Sequence, residues 1–228
     1  QAECCTGKEY VRYWMHNGYI NVDNKKMSKS LGNFFTTREV AEKYGYEPIK
    51  YMMIQAHYRS PINYSYDIVE QCIASLDRLY TSRNNLDFAL ENNSLDQPQG
   101  DEDVFRRQVD ARKEQFDQAM DDDLNTADAL AAVFELVRDI NTFIQEPHSK
   151  ASLEYAAQVF DTLTDVLGIL YNRKKETLDE EIEALIEKRQ QARKARDFKT
   201  ADAIRDELKA KGILLEDTPQ GVKWRREN

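Results

Sequence analysis

Residues 130–144, LAAVFELVRDINTFI, indicate the fold most directly, because their apolar side chains recur at steps of three and four. That spacing puts them on one face of an α-helix, and this face has to be buried against other helices. A start at Asn125 or Thr126, with Asp128 in the first turn, suits the preference of helix N-termini for capping and acidic side chains. We therefore expect an amphipathic helix that packs within a bundle.

Three further segments carry the same pattern. The first starts at Ser65, a candidate N-cap, and is followed by a polar loop over residues 91–103. The apolar stripes include Val69, Cys72, Ile73, Leu76, Leu79, Tyr80 and Leu86; then Phe105, Val109, Phe116 and Met120; then Val159, Phe160, Leu163, Val166, Leu167 and Leu170. Each stripe covers one face only, so we predict an antiparallel helical bundle with these residues as its core.

The first 58 residues are mixed in character. Residues 10–15 suit a helix or a strand, residues 19–22 suit a strand, and residues 37–44 suit a short helix. Pro48 is expected at the first position of the next helix, where its missing N–H costs nothing. This part is predicted to be α/β rather than purely helical.

After residue 172 the composition changes again. Residues 178–193 and 199–209 predict two charged helices, interrupted at Asp197 and ended by Gly212. Two short extended runs, residues 213–215 and 222–224, flank a Pro/Gly turn. Together these features predict a small α+β terminal module with a β-hairpin.

Composition excludes several classes of protein. The 228 residues are 32% charged and 41% hydrophobic, with no apolar run long enough to span a membrane. Three cysteines, two of them adjacent, do not suggest a disulfide framework and favour a reducing cytoplasm. The start, QAECC, resembles no signal peptide and suggests a chain cut from a longer one. We expect a cytoplasmic globular protein.

The composition of the stretch Asn24–Asn33, NKKMSKSLGN, suits a site that neutralises phosphate. Its cations are not what a surface hairpin needs, since tight turns are made by turn-forming residues. Lys26 and Lys29 can place two ammonium groups around a polyphosphate, with loop serines and backbone N–H groups as further donors. Such cations would stabilise the charge that develops when pyrophosphate leaves ATP. A solvated lysine-rich turn is the alternative that residue chemistry leaves open.

The five residues Lys26–Ser30, KMSKS, match the signature pentapeptide of class I aminoacyl-tRNA synthetases, which rarely arises by chance. Four longer segments indicate which of the class I synthetases the chain resembles. They are residues 13–36 (YWMHNGYINVDNKKMSKSLGNFFT), 57–65 (HYRSPINYS), 119–126 (AMDDDLNT) and 212–226 (GILLEDTPQGVKWRR). Together they resemble cysteinyl-tRNA synthetase, in the family's order and over nearly the whole chain.

The resemblance implies ATP-dependent activation of cysteine to cysteinyl-adenylate and its transfer to cysteine tRNA. Lys29 would be the signature lysine that contacts ATP, with Lys26 as its catalytic partner and magnesium accompanying the nucleotide. The ATP-binding residues would be Lys26, Met27, Ser28, Lys29 and Ser30. Trp14 and His16 lie in a segment that leads into the active site in this family, although a packed Trp and a hydrogen-bonded His are the simpler expectation.

The chain also departs from the family's pattern. Class I enzymes carry a His-Ile-Gly-His-type signature, and no histidine here belongs to one. The family uses zinc to recognise the substrate thiol, and the resemblance places its ligands before Gln1, so Cys4 and Cys5 are not expected to bind metal. The resemblance thus implies a C-terminal fragment that should not charge tRNA alone, because both halves build the adenylate site.

The terminal module carries the strongest local positive charge. Residues 188–211 hold nine cations against four acids, a local charge of +5 in a chain of net charge −9. Cations can grip phosphates while unstacked bases meet an aromatic ring or an arginine plane. In the family this module reads the anticodon. The predicted tRNA-contacting residues are Arg189, Arg193, Arg196, Lys199, Lys223, Trp224, Arg225 and Arg226. A solvated helix face and a packed tryptophan are the alternatives.

The prediction for the whole chain is a mainly α protein in three parts. Residues 1–58 would be the end of a class I catalytic domain, residues 59–172 a tRNA-binding bundle, and residues 173–228 an anticodon-recognition module. A monomer is expected. Two other functions stay open: a cysteine–amino sugar ligase, which has no use for an anticodon reader, and a non-catalytic helical RNA-binding or scaffold protein, in which the lysine loop is incidental.

Overall fold

The computed structural model describes residues 1–28, 30, 33, 36–92, 94–98, 100, 102–173, 180–218 and 221–226. Side chains within these ranges are described except at 180, 181, 183, 216–218, 221, 223, 225 and 226. We call residues 1–173 the main body and residues 180–226 the terminal module.

The main body begins with a small sheet whose strands are linked by two helices. In chain order the elements are α1 (Ala2–Thr6), β1 (Ile20–Val22), β2 (Lys25–Lys26), α2 (Thr37–Tyr44), α3 (Tyr46–Ile54) and β3 (Ile62–Tyr64). The strand order is β2-β1-β3, with β2 antiparallel and β3 parallel to β1. Parallel strands need a crossover connection, which α2 and α3 supply.

Four long helices follow and pack as the predicted bundle. They are α4 (Tyr66–Asn92), α5 (Glu102–Asp121), α6 (Thr126–Phe143) and α7 (Lys150–Leu167), with a two-residue parallel pair formed by β4 (Ser94–Leu95) and β5 (His148–Ser149). The side chain of Asn125 accepts from the Asp128 N–H and caps α6, as its sequence predicts. The mainly α fold class is confirmed.

One continuous apolar core joins the sheet to the bundle. It runs from Val22 in β1 and Tyr64 in β3, through Met52 in α3, to the helices of the bundle. Leu79, Leu136 and Phe160 are fully buried at its centre, but Val166, predicted for the core, is 59% exposed. Because buried residues on both sides of residue 58 share this core, the sheet and bundle are packed as one body.

The terminal module has its own smaller core. Helices α8 (Glu180–Lys194) and α9 (Phe198–Ala210) pack together, and the hairpin of β6 (Ile213–Thr218) and β7 (Gly221–Arg226) lies against α9. The buried cluster at its centre consists of Ile182, Ile204, Leu208 and Ile213. The predicted hairpin is present, with longer strands than the apolar runs alone suggested.

Three local expectations are wrong or need adjustment. Residues 10–15 form neither helix nor strand. Pro48 is the third residue of α3 rather than the first, still within the turn whose N–H groups have no intrahelical acceptor. Asp197 does not merely interrupt the helices, because its carboxylate accepts from the Thr200 N–H and caps α9.

Candidate functional site

The predicted lysine loop starts on a tight hairpin. Asp23 and Asn24 join β1 to β2 with φ angles of 48° and 61°, the left-handed pair that a two-residue type I′ turn requires. The Asp23 N–H donates to the Tyr64 carbonyl (3.1 Å), and the Asn24 N–H donates to Oδ1 of Asn63 (2.7 Å). The expectation that this stretch does not suit a hairpin is wrong, because Asp and Asn tolerate the left-handed region.

The described residues of the signature divide into exposed and anchored ones. Lys26 is exposed on β2, opposite Asn21. Met27, predicted to bind ATP, is half-buried and packs on the main core. The hydroxyls of Ser28 and Ser30 are 3.2 Å apart. Lys29, the predicted ATP-contacting lysine, lies outside the described residues. The first signature lysine is therefore presented to solvent from an anchored strand.

Asn33 contacts the signature from the far side of the loop, and sequence reasoning assigned it no role. Its Oδ1 accepts from the Ser28 N–H (2.9 Å), and its Nδ2 donates to the Lys26 carbonyl (3.2 Å). Three residues later Thr36 and Glu39 form a capping box that starts α2. Hydrogen bonds from the Thr36 backbone and side chain lower the pKa of the Glu39 carboxyl.

The segment after α3 links the sheet to the bundle. The Gly18 N–H donates to the Tyr58 carbonyl (2.7 Å), and a Cβ at Gly18 would lie 2.2 Å from the Ser60 carbonyl oxygen, so only glycine fits there. On its other side the Tyr58 hydroxyl donates to Asp123 (2.8 Å), which also pairs with Arg59 (3.1 Å). These contacts fix the sheet relative to the α5–α6 loop.

The segment leading into the sheet carries exposed aromatic side chains. Tyr13 and Trp14 are 86% and 70% exposed, and the Trp14 ring stacks near His16 at 6.5 Å between centroids. The expectation of a packed tryptophan at position 14 is wrong. An open cavity of about 410 Å³ lies beside this segment, lined in part by Met15, Tyr58 and Leu124.

Two buried charged groups tie the main body together. The Glu47 carboxylate, 6% exposed, accepts from the Tyr80 hydroxyl (2.9 Å), the Leu170 N–H (2.5 Å) and the Asn172 amide (3.1 Å). Burial and the nearby Glu47 carboxylate raise the pKa of Tyr80. Arg83 is also buried; burial lowers its pKa, but its bonds to Asp161 and Asp87 raise that pKa by more. Glu47 thus connects α3 to α4 and to the segment that follows α7.

The predicted RNA-contacting residues of the terminal module fall into three groups. Arg193, Arg196 and Lys199 are exposed around the α8–α9 turn. Arg189 is only 4% exposed, so its predicted contact with a surface phosphate does not fit its burial, and we drop it. The side chains of Lys223, Arg225 and Arg226 lie outside those described.

The two aromatic residues of this module have opposite environments. Trp224, predicted to stack on a base, is half-buried and packs on the module's own core. Phe198, which no sequence motif singled out, is 61% exposed as the first residue of α9, among the cations of the turn. Large exposed aromatic rings beside cations suit base stacking, so Phe198 is the better placed of the two.

The cysteines do not form a metal site in the described part of the chain. Cys4 and Cys5 are exposed, and Cys72 is buried, which raises the pKa of its thiol to about 11. No group of three or more His, Cys, Asp or Glu side chains able to hold a metal is found among the described residues. The described residues therefore offer no ligand set for the zinc ion implied by the resemblance. Within the same ranges no helix is long and apolar enough to cross a membrane.

Comparisons with known proteins agree with this architecture. Residues 1–74 match the class I (C) catalytic domain of tRNA synthetases, residues 115–171 the DALR domain, and residues 175–225 the cysteinyl-tRNA ligase anticodon binding domain. A cysteine–tRNA ligase of Caldicellulosiruptor saccharolyticus is 48% identical over 228 residues, which cover 99% of this chain and 48% of that protein. The chain thus spans about half the length of this curated relative.

A solved structure supports the fold alone. The crystal structure of the ternary complex of Agrobacterium radiobacter K84 agnB2 LeuRS, tRNA and LeuAMS contains a chain with a TM-score of 0.53 and 20% identity. The likeness covers 68% of the present chain and 22% of that one. With matches to three successive domains and 48% identity along its length, the chain belongs to the cysteinyl-tRNA synthetase family.

Proposed function

We propose that this chain is the signature-loop and tRNA-binding part of a cysteine–tRNA ligase. The complete enzyme would join the cysteine carboxylate to the α-phosphate of ATP with loss of pyrophosphate. A ribose hydroxyl of cysteine tRNA would then attack the cysteinyl carbonyl and release AMP. The observation that carries the proposal is that one chain combines an anchored KMSKS strand with a separate module bearing exposed cations.

Lys26 and Lys29 act as the catalytic cations of this proposal. An exposed ammonium at Lys26 suits the negative charge that develops on the leaving pyrophosphate, and Lys29 shares that role by resemblance. Magnesium would bind with ATP. Met27 instead positions the strand through the core, while Ser28 and Ser30 offer hydroxyls near the loop. No step is assigned to zinc, since the described residues offer it no ligand set.

The RNA-binding role rests on the α8–α9 turn. Exposed Arg193, Arg196 and Lys199 would hold the phosphate backbone, and Phe198 would stack on an unpaired base. Lys223, Trp224, Arg225 and Arg226 on β7 remain proposed contributors by resemblance. Residues 1–58, 59–172 and 173–228 would form the catalytic end, the tRNA-binding bundle and the anticodon reader. We further propose that the enzyme is a cytoplasmic monomer and that residues 1–228 alone do not charge tRNA.

The two neighbouring lysines of β2 allow a matched test. Successive side chains of a strand point to opposite faces, so Lys25→Ala removes the same charge as Lys26→Ala from the other face. In the complete enzyme, Lys26→Ala is expected to slow cysteine-dependent ATP–pyrophosphate exchange by about 100-fold, with Lys25→Ala within about threefold of the parent. Equal losses in both variants would leave only a general charge effect and contradict the role of Lys26.

The acceptor distinguishes the competing ligase. Cysteine transfer to cysteine tRNA, with none to an amino sugar, is the expected outcome, since the basic turn at residues 193–199 suits a polyanion. Transfer to the amino sugar alone would replace the proposal by the alternative ligase. A complete protein without exchange activity would favour the non-catalytic RNA-binding protein.

A further inference from the structure

We propose that Asn33 is a positioning residue that holds the KMSKS strand in its ATP-binding geometry. This inference rests on the function proposed above and adds to it a residue outside the signature itself. The Asn33 side chain is half-buried, and its two polar atoms contact two different backbone groups of the signature. It touches no catalytic side chain in these contacts, so its effect on the reaction is through the backbone.

The geometry is a double contact made by one carboxamide. Oδ1 of Asn33 accepts from the Ser28 N–H at 2.9 Å, while Nδ2 donates to the Lys26 carbonyl at 3.2 Å. Both distances lie within or at the edge of the normal range for N–H···O hydrogen bonds. The two backbone groups flank Met27, so the carboxamide fixes the path of the chain on both sides of that residue.

Other contacts anchor the same strand up to Met27. Lys26 is held in register opposite Asn21, and Met27 is held by packing on the main core. Beyond Met27 the Ser28 N–H is held by Asn33, and Ser28 directly precedes Lys29 in the sequence. Asn33 therefore fixes the backbone immediately before the lysine expected to contact ATP.

Asparagine suits this role for a chemical reason. A carboxamide both accepts and donates hydrogen bonds, whereas a carboxylate only accepts and an alkyl group does neither. Aspartate would retain the bond from Ser28 but lose the bond to Lys26, and would add a negative charge beside the signature lysines. Glutamine keeps both functions on a side chain one methylene longer. Alanine, aspartate and glutamine at position 33 therefore distinguish the effect of the bond from Ser28 from that of the bond to Lys26.

The expected consequence is a defect in ATP use. Loss of both bonds frees the backbone before Lys29, and misplacement of a reacting or stabilising group by about 1 Å costs on the order of 100-fold in rate. We expect Asn33→Ala to lower kcat/KM for ATP by about 10- to 100-fold, with the KM for cysteine changed by less than about twofold. Asn33→Gln should restore part of that loss.

The contact itself is tested first, in the 228-residue chain. Hydrogen exchange of the Ser28 amide, followed by NMR, should be about tenfold faster in Asn33→Ala than in the parent. Asn33→Asp should keep that protection because it retains the acceptor. Asn92→Ala is the matched control, since the Asn92 amide bonds the Phe88 carbonyl within α4 and lies outside the signature loop. Unchanged Ser28 exchange in Asn33→Ala would overturn the contact.

The positioning role is tested by ATP–pyrophosphate exchange in the complete enzyme, with the same variants. A selective loss in kcat/KM for ATP, partly rescued by Asn33→Gln and absent in Asn92→Ala, is the expected result. Equal losses for ATP and cysteine, or none, would overturn the positioning role. If the parent enzyme shows no ATP–pyrophosphate exchange at all, the proposed function is wrong. Hydrogen exchange at the Ser28 amide still decides separately whether Asn33 holds the loop.

Discussion

The main body and the terminal module are built on cores of very different size. In the main body, residues from the sheet and from all four bundle helices belong to one buried cluster, reinforced by the partnered Glu47 and Arg83. In the terminal module, the buried cluster found among the described side chains consists of four hydrophobic residues. Stability rises with the surface that folding buries, so the module should be the weaker unit. The difference suggests a rigid support for the signature strand and a terminal module that unfolds more easily.

Matched leucine truncations give the largest expected effect. Leu208 in the module and Leu136 in the main body are both fully buried, and Leu→Ala in a core costs about 3 kcal/mol. Leu208→Ala should unfold the module while the main body stays folded, and Leu136→Ala should lower only the main body's stability. Calorimetry with NMR of each part would measure this. A single transition shifted equally by both variants would refute the separation of the two cores.

Removal of the buried carboxylate should destabilise the main body by a similar amount. Glu47→Ala leaves the Leu170 N–H, the Tyr80 hydroxyl and the Asn172 amide without their acceptor, at a cost of about 3 kcal/mol in unfolding free energy. Glu47→Gln retains an acceptor and should cost less. Urea unfolding of the main body measures both variants. A loss below about 1 kcal/mol for Glu47→Ala would show that these bonds do not hold α3 to the bundle.

The two aromatic residues of the terminal module should separate stability from binding. Trp224→Ala removes half-buried surface from a small core and should cost the module about 2 kcal/mol. Phe198 is mainly exposed, so Phe198→Ala should change the module's unfolding free energy by less than about 0.5 kcal/mol. Thermal unfolding of the two variants checks this. A larger loss in Phe198→Ala would mean that Phe198 is a packing residue.

The sequence predicted those features that depend on local pattern. Helix stripes such as that of residues 130–144, the cap at Asn125 and the terminal hairpin follow from periodicity and turn chemistry, and all are present. The family followed from the KMSKS pentapeptide and its flanking segments. These signals lie within a few residues of one another in the chain.

What the sequence did not predict depends on tertiary contacts. The Asp23–Asn24 turn was missed because neither residue is glycine, and the Asn33 contact joins backbone groups five and seven residues away. Burial of Arg189 and exposure of Phe198 depend on which helix faces pack inside the module. A basic and amphipathic pattern alone does not decide that orientation.

The smallest expected effect is on pH dependence. Hydrogen bonds from the Thr200 side chain and backbone lower the pKa of Asp197 in the folded module. Its contribution to stability is therefore complete above the unfolded-state value, about 4, and is lost as pH falls through the lower folded-state value. Asp197→Asn can still cap α9 but does not titrate, so it should flatten the module's stability as pH falls below the unfolded-state value. An unchanged acid slope in melting curves would contradict this assignment.

We propose that the terminal module of this chain reads the anticodon of cysteine tRNA. The most direct test is binding of residues 1–228 to cysteine tRNA and to the same tRNA with a replaced anticodon, across a salt series. We expect tighter binding to the native anticodon that persists as salt rises, with the preference removed by Phe198→Ala. Equal and steeply salt-sensitive binding to both tRNAs would mean phosphate contacts alone. That result, or no binding at all, would contradict the claim.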